Sequence, residues 1–323
     1  MFERLLVPLD GSSLAEQALG LAAAIARAAR AEVDLVLVHR PLPFAGYDDA
    51  PWNAEQVMSE DKYLETTAAE LVSGASVPVT RAVLHGDATE MICARAHDVD
   101  ADLVVMTSHG RTGFSRAWIG SVADGVLRRS AIPVLVLRPT ARKPVRDATR
   151  RLFRHVLVPL DGSMFATDIL EPAASLARCG RGRITLLRVV PPIPLMVVDG
   201  NMPFAYPAPI QDDVATARMV SDVTQELAAV ARRFGETESV PVEVDVVVAE
   251  HVAAAILDFA RAHAVDALAL STHGRGASRL IVGSVADKIL RGTGLPVMFY
   301  RPASVAETRT PERAEGASLS SIM

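Results

Sequence analysis

The stretch Ser108-His109-Gly110-Arg111-Thr112-Gly113-Phe114-Ser115-Arg116-Ala117-Trp118-Ile119-Gly120-Ser121-Val122 returns nearly unchanged as Thr272-His273-Gly274-Arg275 through Gly283-Ser284-Val285. In each copy an apolar strand, Asp102 to Met106 or Ala267 to Leu270, runs into a glycine loop that closes on Gly-Ser at the head of an amphipathic helix. These are the parts of a backbone anion site, because unpaired amides and the positive end of the helix dipole converge there.

The duplication extends outward from this loop. Val7-Pro8-Leu9-Asp10-Gly11-Ser12 recurs as Val158-Pro159-Leu160-Asp161-Gly162-Ser163, 151 residues later, whereas Gly120 and Gly283 are 163 apart. The difference requires a net insertion in the second copy, and the proline-rich stretch Pro191 to Pro209 is the place for it, replacing a shorter loop around Pro41 to Trp52. One residue goes the other way: nine residues separate Gly110 from Gly120, but eight separate Gly274 from Gly283.

A chain of 323 residues suits two domains of this length, each large enough for its own core. Half of the residues are hydrophobic, yet no uncharged apolar run approaches the roughly 20 residues of a membrane span. Met1-Phe2-Glu3-Arg4 leads straight into a strand without a signal-peptide pattern, so the expectation is a cytoplasmic protein with no membrane partner. The net charge of -5 argues against a nucleic-acid partner. Cys93 and Cys179 fall at non-equivalent places in the two halves, which suits neither a disulfide framework nor a metal knuckle.

Strand and helix patterns alternate through the first half. Apolar runs at Leu5 to Leu9, Val33 to His39, Val77 to Leu84, Leu103 to Thr107 and Val134 to Arg138 predict strands. Helical spacing begins at Leu14, Ala18, Leu21 and Ile25 and recurs over Ala54 to Ser73, Ala88 to His97 and Ser121 to Arg129. Near-continuous Val, Leu and Ile strands separated by helices indicate an α/β fold with a parallel sheet covered on both faces. The second half repeats the order from Val156 to Tyr300. The expected organisation is domain 1 over residues 1–139, a basic linker over 140–152, domain 2 over 153–302 and a disordered tail over 303–323.

In a doubly wound five-stranded sheet of order 3-2-1-4-5, ligands bind beyond the carboxyl ends of strands 1 and 4, where the winding reverses. Those strands end in Asp10 and in Thr107-Ser108-His109-Gly110, so the two features repeated most faithfully meet there. Each half thus resembles a universal stress protein domain, and the whole a tandem member of that family. The family's loop motif, G-x2-G-x9-G-[S/T], matches at Gly110, Gly120 and Ser121, and again at Gly274, Gly283 and Ser284. Thr107 and Ser271 stand at the first glycine, and the second loop is one residue short.

The resemblance implies that ATP or a related adenine nucleotide is bound. Asp10 and Asp161 would face adenine and ribose, and Val38 and Val189 would offer backbone groups to adenine. Gly110, Gly120, Ser121 and Val122, with Gly274, Gly283, Ser284 and Val285, would wrap the phosphates. Pro8, Pro159, Thr107, His109, Gly113 and Ser271 complete the candidate set. Magnesium or manganese would be held mainly by the phosphates. Single-domain members imply pairing of the two halves through their last strands, as an intramolecular pseudo-dimer or within a homodimer.

Each residue also has a plainer role. Ser121 and Ser284 either cap their helices or donate a hydroxyl to a ligand, and Asp10 and Asp161 either cap or bind. Arg111 and Arg275 face phosphate or solvent. His109 and His273 lack a triad order or a second metal-spaced histidine, so a backbone hydrogen bond is expected of them. Neither G-x4-G-K-[S/T] nor an early G-x-G-x-x-G occurs. The expectation is a nucleotide-binding regulatory module without catalytic residues; a nucleotide-independent scaffold and a slow ATP hydrolase are the alternatives.

Overall fold

The computed structural model describes residues 1–40, 51–109, 119–139, 153–163, 167–197, 206–237, 239–271 and 283–301. The expected linker at 140–152 and tail at 303–323 lie outside them. The first half runs β1 (Arg4–Leu9), α1 (Gln17–Ala29), β2 (Glu32–His39), α2 (Pro51–Ala75), β3 (Val79–His85), α3 (Ala88–Asp98), β4 (Leu103–Thr107), α4 (Ser121–Arg129) and β5 (Val134–Leu137). Its strands are parallel neighbours in the order β3-β2-β1-β4-β5.

Strand alternation divides the core between two layers of helices. Leu5, Val7, Leu35 and Val105 join the alanine-rich face of α1, whereas Leu6, Val36, Val104 and Met106 join Ile92 of α3 and Val126 of α4. Both faces are covered, which is why the strands read as unbroken apolar runs. Helix α1 begins at Gln17 rather than Leu14, because residues 14–17 form a tighter turn in which the Gln17 amide donates to the Leu14 carbonyl at 3.2 Å. Helix α2 opens at Pro51, three residues before the apolar period, where a proline costs no hydrogen bond.

Two polar devices anchor this half. Asp34, fully buried on β2, accepts from Arg95 Nε of α3 and from Thr80 Oγ1, each at 2.8 Å. Asp102 Oδ2 accepts from the amides of Glu3 and Arg4 at 2.6 and 2.9 Å, which fixes the start of β1 against β4.

The second half runs β6 (His155–Pro159), α5 (Leu170–Cys179), β7 (Arg183–Val190), β8 (Pro194–Val197), β9 (Tyr206–Gln211), α6 (Asp213–Thr237), β10 (Val242–Val248), α7 (Val252–Ala262), β11 (Ala267–Ser271), α8 (Ser284–Gly292) and β12 (Val297–Tyr300). Its parallel order is β10-β7-β6-β11-β12, the same winding. The Asp102 device is duplicated: Asp266 Oδ2 accepts from the amides of Arg154 and His155 at 2.6 and 3.0 Å. The Asp34 device is not. Thr185 stands in its place, donating its hydroxyl to Nε2 of the buried His155 at 2.8 Å, while His155 Nδ1 donates to the His263 carbonyl at 3.0 Å. Desolvation pushes the pKa of His155 down, so the neutral ring is the form the core holds.

The insertion after β7 is an antiparallel hairpin, β8 with β9, that forms a sheet of its own. Its prolines hide the apolar-polar alternation that announces a strand, and a two-stranded sheet tolerates them because each strand has an unpaired edge. The last strands of the halves join: β5 and β12 pair antiparallel, with Val136 opposite Val297 and Phe299 opposite Val134. One ten-stranded sheet results. Because that pair is antiparallel, the carboxyl ends of the strands point in opposite directions in the two halves.

Candidate functional site

In the first half the ends of β2, β1 and β4 lie side by side, since β1 pairs with both of the others. That brings Pro8, Asp10, Val38, Thr107 and His109 to one edge of the sheet. Gly120 lies at the same edge, where its amide donates to the Ser108 carbonyl at 2.7 Å. A Cβ on Gly120 would lie 3.2 Å from that oxygen, so the glycine permits the close approach. Val38, Ile119 and Val122 pack against a common apolar cluster beneath. Gly110 and Gly113 lie outside the described residues, as do Arg111, Gly274, Arg275 and His273.

The cap of α4 is Gly120, which has no side chain to offer, and Ser121 is an exposed first helical residue. Gly283 and Ser284 stand in the same relation to α8. The serines therefore do not cap these helices. The first-turn amides of α4 and α8 receive no side-chain bond from their cap residues.

Asp10 is half-buried, and its Oδ1 accepts from the Ser12 amide at 3.0 Å and the Ser12 hydroxyl at 2.6 Å. Ser12 Oγ in turn accepts from the Ala15 amide at 3.2 Å. Asp10 thus folds its own turn, with Gly11 at φ 78°, and Ser12 carries the link to the following helical turn. Thr107, at the first glycine position, is buried and donates its hydroxyl to the His109 carbonyl at 2.9 Å. His109 differs from expectation: Nδ1 lies 3.0 Å from the Ser108 hydroxyl rather than on a backbone group. Its Nε2 is buried and has no hydrogen-bond partner among the described residues.

Other residues near this edge carry no signal in the sequence. His39, directly after Val38, is buried with Nδ1 2.8 Å from Glu60 Oε2 of α2, and Gln56 Nε2 donates to Glu60 Oε1 at 3.1 Å. Tyr63 donates to Glu16 Oε1 at 3.1 Å; burial, reinforced by that carboxylate, pushes its pKa well up. Neither pair follows from spacing along the chain, because α2 meets β2 and α1 only in the fold.

The second site is assembled from the same places with looser cover. Val189 and Val285 share an apolar cluster, as Val38 and Val122 do. Asp161 and Gly283 are exposed, where Asp10 and Gly120 are half-buried. Asp161 Oδ1 accepts from the Ser163 amide at 2.9 Å, and Gly162 adopts φ +86°. Arg188 takes the position of Leu37, and its guanidinium lies over this turn, 2.6 Å from where a Gly162 Cβ would be. Pro159 and Ser271 are half-buried at the ends of β6 and β11. Burial raises the thiol pKa of Cys93 and pushes that of Cys179 up to about 11, so neither thiol is set up as a nucleophile.

A doubly wound parallel sheet with a glycine-capped helix following the fourth strand defines an α/β fold, here in two copies. The profile of the Universal stress protein family matches residues 1–138 and 152–301, and the chain belongs to that family. It is 33% identical over 135 residues to Universal stress protein Rv2623 of Mycobacterium tuberculosis, a match covering 41% of this chain and 44% of that one. Against Universal stress protein MJ0531 of Methanocaldococcus jannaschii it is 29% identical over 141 residues, 43% of this chain and 83% of the other. The match thus spans less than half the length of the mycobacterial relative. A universal stress protein structure from Archaeoglobus fulgidus superposes with a TM-score of 0.62 at 18% identity, covering 93% of this chain and 96% of that one, which shows the shared fold. Among the described residues no helix is long and apolar enough to cross a membrane.

Proposed function

We propose that this chain binds adenine nucleotide, ATP in the first instance, at the glycine-loop edge of each half, with the first half as the stronger site. It acts as a regulatory module of a cytoplasmic stress response rather than as an enzyme. The observation that supports this most directly is the Gly120 contact with Ser108, which sets an α4 N-terminus without a side-chain cap beside Asp10 and Val38. Amides at such a terminus suit phosphate, and the partly buried apolar side chains of Val38, Ile119 and Val122 suit a purine base. His109 Nε2, buried at the same edge, is a further donor or acceptor available to a ligand.

Magnesium or manganese fits as a companion of the phosphates. The described residues of the first site offer amides, hydroxyls and the Asp10 carboxylate, which Ser12 already engages, so the phosphates would hold most of the ion. A regulatory role is the reading that a helix N-terminus open to an anion supports.

A nucleotide-independent scaffold is the second reading, and the second half favours it there, since Arg188 lies over the Asp161 turn and the loop is one residue short. Mass spectrometry of ligand released from freshly purified protein, followed by calorimetry with ATP, separates the two. Retained adenine nucleotide supports binding. An empty protein that takes up no ATP at millimolar concentration supports the scaffold.

A further inference from the structure

The helices that close the two sites are each held, at the opposite end, by the other half. Arg301, following β12, donates from Nη1 to the Arg128 carbonyl at the C-terminal end of α4, at 2.5 Å. Arg138, following β5, donates from Nη1 to the Arg291 carbonyl at the C-terminal end of α8, also at 2.5 Å. Both members of each contact are related by the same 163-residue offset, so this is one contact made twice across the pseudo-two-fold axis.

Each clamp reaches back to the site of its own half. Arg138 follows Leu137, whose carbonyl accepts the Ser108 amide at 2.8 Å, and the Ser108 carbonyl accepts the Gly120 amide. Arg301 follows Tyr300, which pairs with Ser271 at the start of the second loop. The side chains of Arg128 and Arg291 are turned away onto Asp124 and Asp287, one turn back, leaving the carbonyls to the arginine from the other half.

The last carbonyls of a helix lack intrahelical partners and carry its negative end. A guanidinium fixed there holds the helix in place, and with it the N-terminus about 13 Å away in a nine-residue helix. We infer that Arg138 and Arg301 are reciprocal positioning residues, each holding from one half the helix whose N-terminus closes the site of the other half, so that the sites are linked. This rests on the nucleotide reading for its effect on binding, but not for its effect on the helices.

Two measurements on the full chain test it. In unliganded protein, Arg301→Ala raises hydrogen exchange in α4 and not in α8, while Arg138→Ala raises it in α8 and not in α4. In calorimetric titration of the full chain with ATP, Arg301→Ala weakens binding at the stronger, first site about two- to five-fold. There Arg301→Lys, which keeps a donor, retains most of the affinity, and Arg138→Ala leaves it unchanged. Exchange that rises equally in both helices, rises in the helix of the mutated half, or does not rise at all overturns the clamp. An ATP effect of Arg138→Ala equal to that of Arg301→Ala overturns the linkage. If the unmutated protein binds no ATP, the nucleotide reading falls, and the exchange pattern alone decides the clamp.

Discussion

Leu135 and Met298 stand opposite each other in the β5–β12 pair, and they are the same position of the duplicated sequence, 163 residues apart. The pseudo-two-fold axis therefore passes between them, and it exchanges Val136 with Phe299 and Val134 with Val297. Duplication has placed in one chain a pairing in which each half covers the apolar edge of the other. An edge of Val-Leu-Val-Leu left bare would invite association with other chains.

The two halves, expressed separately, are expected to associate through this seam or to self-associate. Val136 is fully buried opposite Val297, so Val136→Lys places a charge in the seam at a cost of about 3–5 kcal/mol. Size-exclusion chromatography with light scattering checks this. Halves that stay monomeric when mixed at micromolar concentration would refute the association.

Gly120→Val is expected to abolish most ATP binding, and Gly283→Val to be less harmful overall. At Gly120 a side chain meets the Ser108 carbonyl at 3.2 Å, whereas at Gly283 it meets nothing within 4 Å among the described residues. Calorimetry on both variants ranks the sites, and circular dichroism shows that each remains folded. A larger loss from Gly283→Val would reverse the ranking.

Asp34→Ala is expected to destabilise the first half by about 3 kcal/mol, because it leaves Arg95 and Thr80 without the carboxylate that both bind. Arg95 is 28% exposed and can turn its charge to water, which places the loss at the low end for a buried pair. Urea denaturation measures it. A change under 1 kcal/mol would mean that Asp34 is replaceable by packing alone.

Acid is expected to weaken the second half through His155. Its folded pKa lies below the unfolded value, so below about pH 6.5 the unfolded chain binds the extra proton, and stability falls as pH falls. Above that pH the contribution is fully present. Comparing urea midpoints at pH 7.5 and 5.5 should show a larger drop for the natural protein than for His155→Asn. Equal drops would remove His155 from the account.

Steady-state ATP turnover is expected far below the order of 1 s⁻¹ that is ordinary for enzymes. A coupled phosphate-release assay with magnesium present checks this, and turnover at that rate would require a catalytic group to be sought in the loops.

Much of this protein is written locally. The unbroken Val and Leu runs announced strands buried on both faces, the repeat announced two copies, and the order of Asp10 and Gly120-Ser121 along the chain brought them to the edge where the winding reverses. Such features depend on near neighbours in sequence, through alternation, helical period and the freedom of glycine. The hairpin β8–β9 is not legible along the chain, because prolines hide its alternation and its strands pair only with each other.

Other features exist only once distant segments meet. Asp34 with Arg95, His39 with Glu60 and Arg188 over Gly162 join residues from different elements, and no spacing along the chain foretells them. Gly120, not Ser121, proved to be the cap, since that depends on the backbone angles at which the loop enters α4. The crossed contacts of Arg138 and Arg301 arise because β5 and β12 run antiparallel, which sets the carboxyl end of each last strand beside the C-terminus of the other half's final helix. Sequence determined the elements and their duplication. Tertiary structure decided which charges meet and how the two halves hold one another, because those depend on distances between segments that the chain's local chemistry does not set.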